Sequence, residues 1–196
     1  MTTRTLTRTF GFVALTLNLG VTGVYAQPGR PMNVHVKMTF SGNGAPSPIN
    51  LNQPNTSTAE ENVAGDGTLG RFTFRNVSAI GNTPHPSSTC SGLFFPRVTG
   101  GGILRFQDGS LLKVDLTQGG DCIDLVHRVA HCTLTFQING GTGRFQGASG
   151  VLTLTETAHP VLADAFDNPV FFTETGQLTG MVSGLAEEAD RRDDRQ

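Results

Sequence analysis

Polar and apolar side chains alternate with a period of two along most of the chain. Val34, Val36, Met38 and Phe40 are interleaved with His35, Lys37 and Thr39, and Phe72 and Phe74 with Arg71, Thr73 and Arg75. Leu104 and Phe106 flank Arg105, and Leu112, Val114 and Leu116 flank Lys113 and Asp115. The pattern continues through Leu134, Phe136 and Ile138, through Leu152 and Leu154, and from Phe172 to Leu178. Successive side chains of a strand point to opposite faces, so each run predicts a strand with one buried and one wet face. Short polar connections such as residues 107–110 favour antiparallel hairpins. Seven or eight strands with no helical period between them predict an all-β fold, either a sandwich or a closed barrel. Residues 43–66 and 80–92, rich in Pro, Asn, Ser, Thr and Gly, read as long polar surface loops.

The two ends of the chain follow other rules. Residues 1–26 combine Arg4 and Arg8, an apolar run of about thirteen residues and a small-residue exit at Ala26, the order of a secretory signal peptide. The run is too short, and too broken by Asn18 and glycines, to span a bilayer. The domain is therefore expected over 27–185, exported to the periplasm or beyond, with no membrane span. Residues 186–196 carry five acids and three arginines with little to bury, which predicts a disordered tail.

Charge narrows the partners. Without Arg4 and Arg8, twelve of the fourteen basic side chains face all sixteen acids, a net charge of about −4. Nucleic acid is bound by neutralising phosphates with Lys and Arg, and no basic stripe is present, so nucleic acid is not an expected partner. A small apolar molecule is.

Three cysteines, Cys90, Cys122 and Cys132, would reach an oxidising compartment. One disulfide and one thiol is the simplest arithmetic. Cys122–Cys132, closing a loop of about eleven residues, is the pairing expected here, worth about 2–3 kcal/mol. Cys90 with either of the others is the alternative.

The densest glycine cluster is NGGTGRFQGASGVLTLT, residues 139–155. A dinucleotide fingerprint needs G-x-G-x-x-G between a strand and a helix. Here Gln146 stands where the third glycine belongs, and an alternating strand follows, so the glycines are expected to turn the chain. This hairpin resembles the signature of the allene oxide cyclase and dirigent barrel superfamily, in particular its exported bacterial members. The match rests on Gly141, Gly143, Arg144, Phe145, Gly147 and Gly150, all read as architectural turn residues. The resemblance implies an eight-stranded antiparallel β-barrel, often a homotrimer, around a central apolar cavity. Relatives in that superfamily cyclise a fatty-acid epoxide or steer the coupling of phenolic radicals there.

Strand parity singles out two acids. Glu156 shares a face with Leu152 and Leu154, and Glu174 with Phe172 and Leu178. Pointing inward, both would be buried, raised in pKa and able to act as general acids; at the barrel rim they would be solvated. Phe74, Phe106, Phe136, Leu154 and Phe172 are the residues expected to line a cavity. His127 and His131 are four apart, a ligand spacing on a helix, but on a strand they stand about 13 Å apart. No metal site or cofactor is expected, and neither a serine elbow nor a C-x-x-C pair is present. Three functions follow: a barrel that binds a small hydrophobic ligand, a cyclase or isomerase using cavity carboxylates, and a structural module with a solid core. Sequence alone leaves open whether the protein is an enzyme.

Overall fold

The computed structural model describes residues 32–166 and 168–185, so the expected signal peptide and charged tail lie outside the described residues. Eight strands, β1 (Met32–Ser47), β2 (Thr56–Gly67), β3 (Phe72–Gly81), β4 (Leu93–Phe106), β5 (Leu111–Asp124), β6 (Val129–Thr142), β7 (Ser149–Ala163) and β8 (Pro169–Leu185), follow one another in sequence. Each pairs antiparallel with its neighbours, and β8 returns to β1, closing the barrel and leaving no free sheet edge. The alternation is apolar inward and polar outward, the reverse of a barrel that faces lipid. Among the described residues no helix is long and apolar enough to cross a membrane.

Most of the segment expected to be a loop over 43–66 is strand. β1 runs on to Ser47 and β2 begins at Thr56, leaving residues 48–55 as the connection. The residues of β2, TSTAEENVAGDG, are weak strand formers on their own. They are extended because both neighbours, β1 and β3, supply ladder partners along their length.

The barrel is closed at one end. The β6–β7 connection folds into a single 3₁₀ turn, Gly143–Phe145, whose Phe145 is fully buried. Gly143 and Gly147 take φ of 60° and 80°, where side-chain-bearing residues are strained, so these glycines do turn the chain. Phe145 stacks on Phe106 at 4.7 Å, and Phe74 meets Phe136 edge-on at 5.8 Å. Arg144 lies over the Phe106 and Phe145 rings at 5.0 and 4.8 Å, donates to the Leu69 carbonyl oxygen and pairs with Asp108 at 3.1 Å. The even-numbered inward positions of β6 and β7, from Ile138 to Leu134 and from Leu152 to Leu154, fill this half of the lumen.

The disulfide joins Cys90 to Cys122, not Cys122 to Cys132 as expected. An extra residue in β5, where the register shifts between Leu116 and Gln118, reverses the strand's parity. Asp121 then points inward opposite Cys132, and Cys122 turns to the other face, toward the 82–92 loop that carries Cys90. Cys132 is buried and free. The bridge spans 32 residues, so its removal by Cys90→Ser is expected to cost about 3–4 kcal/mol of stability. Chemical denaturation of the variant measures this. Non-reducing peptide mapping of the native protein should join the Cys90 and Cys122 peptides, with Cys132 alkylated only after unfolding.

Candidate functional site

At the level where the aromatic filling ends, seven consecutive strands turn a polar side chain inward. They are Glu61 on β2, Asn76 and Ser78 on β3, Arg97 on β4, Asp121 on β5, Cys132 on β6, Glu156 on β7 and Glu174 on β8. All are buried. β1 contributes Gly44 instead, and a Cβ there would collide with Glu174 Oε1, so the glycine leaves the space this carboxyl occupies.

Arg97 organises half of the layer. Its Nε donates to both oxygens of Asp121 at 3.0 and 3.1 Å, and its Nη1 donates to Ser78 Oγ at 2.7 Å and to Glu61 Oε1. Asn76 Nδ2 donates to the second Glu61 oxygen at 3.0 Å. Burial by itself disfavours the guanidinium charge, and Asp121 and Glu61 outweigh it, so Arg97 is held charged well above its ordinary range.

Among the described residues, the other half has no cation of its own, and neither oxygen of Glu156 nor Glu174 Oε2 has a hydrogen-bond partner. Burial, then the Glu61 carboxylate, pushes Glu156 well above the usual carboxylate range, with Arg97 opposing. The same two causes raise Glu174 to about 8. Glu174 is therefore protonated at neutral pH, and Glu156 is shifted in the same direction, because ionised carboxylates without partners are costly to bury. Burial, then Asp121, likewise raises the Cys132 thiol, which makes it a poor nucleophile. Glu61, Glu156 and Glu174 each place an oxygen within 4.8 Å of the others, close enough for one hard cation. However, both Glu61 oxygens are already engaged by Arg97 and Asn76.

Above this polar floor the lumen is open. A cavity of about 540 Å³ reaches the end of the barrel formed by the 48–55, 82–92, 125–128 and 164–168 connections. Its walls are largely apolar, among them Ala59, Ile80, Phe95, Ala130, Ala158 and Phe172, and Glu61, Arg97, Asp121 and Glu174 reach it from the floor. Asp124 and Arg128 lie at its mouth. Exposed Leu125, Val126, Leu162 and Phe166 give that end an apolar rim. The barrel is thus not solid along its whole length.

Glu156 and Glu174 both point inward, on the faces their parity indicated, and not to a solvated rim. Of the five residues expected to line the cavity, Phe172 does. Phe74, Phe106, Phe136 and Leu154 do not: they lie in the packed core on the closed side of the polar layer. Period-two parity gives a side chain's face but not its height along the barrel. His127 and His131 stay apart: His127 is exposed and bonded to Asp124 Oδ2 at 2.7 Å, and His131 lies near Thr157 Oγ1 at 3.4 Å. Glu61, Arg97 and Asp121 carry most of the site's charge and were not singled out from sequence.

No sequence-family model matches the chain, and neither does any curated protein sequence. Two solved structures are similar to it. The pterocarpan synthase dirigent protein PsPTS1 is 14% identical over 82% of this chain and 99% of its own, with a TM-score of 0.44. The pterocarpan synthase dirigent protein GePTS1 is 14% identical over 84% and 92%, with a TM-score of 0.42. The likeness is one of fold alone, and the closed eight-stranded antiparallel barrel stands on the chain's own strand pairing.

Proposed function

We propose that the protein is an exported barrel that binds a small hydrophobic molecule in the cavity above the polar layer, without converting it or converting it only weakly. The observation that carries this is the junction of an apolar-walled cavity of about 540 Å³ with a buried carboxyl, Glu174, whose Oε2 has no hydrogen-bond partner among the described residues. Clefts of roughly 300–1,000 Å³ that combine apolar walls with a few convergent polar groups are the usual form of a small-molecule site. The walls supply the apolar burial, and the floor supplies orientation. The signal-peptide pattern of residues 1–26 and the disulfide support export.

A second reading, a cyclase or isomerase, is favoured by one feature. Glu174 faces the cavity and carries its proton up to about pH 8, so it is placed as a general acid. The binding reading comes first because it needs only the cavity.

The chain contains no tryptophan, and its one tyrosine, Tyr25, falls within residues 1–26, so probe fluorescence is read without interference. N-phenyl-1-naphthylamine should bind saturably, one per chain, with enhanced emission. Ala130→Phe, which narrows the cavity from its wall, should weaken binding by at least about tenfold while leaving the unfolding midpoint near that of the parent. Absence of saturable binding, or an affinity indifferent to this substitution, would defeat the proposal.

A further inference from the structure

Resting on the reading of the cavity as a binding site, we propose that its occupant is an organic cation: an apolar body with one primary or secondary ammonium group, seated with the nitrogen against Glu174. The cavity's chemistry selects among possible ligands. Its floor holds Glu61, Asp121 and Glu174, with Glu156 beside them, against the single guanidinium of Arg97. Three of its five N–H donors go to Asp121, Glu61 and Ser78, and its one positive charge is offset by the two carboxylates it touches. Asp124 and Arg128 at the mouth add one charge of each sign and leave the surplus unchanged.

An anionic ligand, such as a fatty acid, would set its carboxylate against this surplus, and like charges in a low-dielectric site repel strongly. A neutral alcohol could accept or donate one hydrogen bond but brings no positive charge to pair with Glu174. A divalent ion would have to share Glu61 with Arg97 and Asn76. An ammonium meets none of these objections. It donates to the Glu174 carboxyl, which lines the cavity, and supplies the positive charge that lets Glu174 ionise, while its apolar body covers the walls. One proton then leaves Glu174 for solvent as the cation enters, and the charge of the site is unchanged. The titratable and charged groups facing Glu174 across the lumen are Glu61, Arg97, Asp121, Cys132 and Glu156.

Three probes of one shape test this: 2-(2-naphthyl)ethylamine, 2-(2-naphthyl)ethanol and 2-naphthylacetate, titrated calorimetrically at pH 7 in phosphate and in Tris. The amine should bind at least about tenfold more tightly than the alcohol, and the acetate most weakly. The dependence of the heat on buffer should report about one proton released per amine and none for the alcohol. In Glu174→Gln the amine's advantage and the proton release should both vanish, with the alcohol's affinity kept within about threefold. An alcohol that equals the amine, or amine binding without proton release in the unmodified protein, overturns the cation assignment alone. Failure of all three probes to bind overturns the binding reading with it.

Discussion

Glu174→Gln should be about as stable as the parent protein at pH 5 and clearly more stable at pH 8. The folded state holds the Glu174 proton to about pH 8, whereas the unfolded chain releases it near the ordinary value of 4.5. A carboxyl raised on folding favours the fold fully below the unfolded value, and that contribution is lost as pH rises toward and through the folded one. Between these limits the folded state binds more protons, so stability falls with pH. Each unit of difference corresponds to about 1.4 kcal/mol, so the loss across the window is on the order of 4 kcal/mol for this one group. Glutamine copies the neutral acid in shape and cannot ionise, so it removes the slope. Glu156→Gln should act in the same direction, because burial and Glu61 raise that group as well. Each single variant removes one raised carboxyl, so the double variant should be flatter than either single one. Guanidinium unfolding followed by far-ultraviolet circular dichroism at pH 5, 6.5 and 8 measures the effect. Parallel curves for parent and Glu174→Gln would show that the carboxyl is solvated.

The same residues show how much of the site the sequence exposes. Glu156 and Glu174 are legible because β7 and β8 run without a register shift from Ser149 to Pro160 and from Phe172 to Ser183, so counting by twos from Leu152 or Leu178 reaches the right face. Arg97 and Asp121 are not legible, because a bulge separates each from the apolar run that would place it. In β4 the shift opposite Ala79 and Ile80 inserts Val98, so the inward set passes from the even positions of Leu104 and Phe106 to the odd position of Arg97. In β5 the shift after Leu116 does the same for Asp121 and turns Cys122 away from Cys132. Glu61 is hidden for another reason. Beyond Thr56, Thr58 and Val63 its strand has no β-branched or aromatic residue, and it adopts its shape from its neighbours. The barrel's alternation and the closing hairpin were plain from the sequence, whereas the polar layer depends on two extra residues and a strand formed by context.

Removing the Arg97 charge should have the largest effect of any single change in the layer. Arg97→Met keeps a long apolar side chain but leaves Glu61 and Asp121 buried with no cation, beside Glu156 and Glu174. Breaking a buried ion pair from one side costs about 3–5 kcal/mol, because the remaining charge has lost both its water and its partner. Unfolding of Arg97→Met and the parent at pH 8 measures this cost. Arg97→Lys should fall between the two, since an ammonium keeps the charge but cannot reproduce the guanidinium fork that reaches Asp121 through Nε and Glu61 and Ser78 through Nη1. Adding Glu61→Gln and Asp121→Asn to Arg97→Met removes the unpaired charges and should restore much of the loss at pH 8. A cost below about 1 kcal/mol for Arg97→Met at pH 8, the size of an exposed pair, would mean that water reaches the layer.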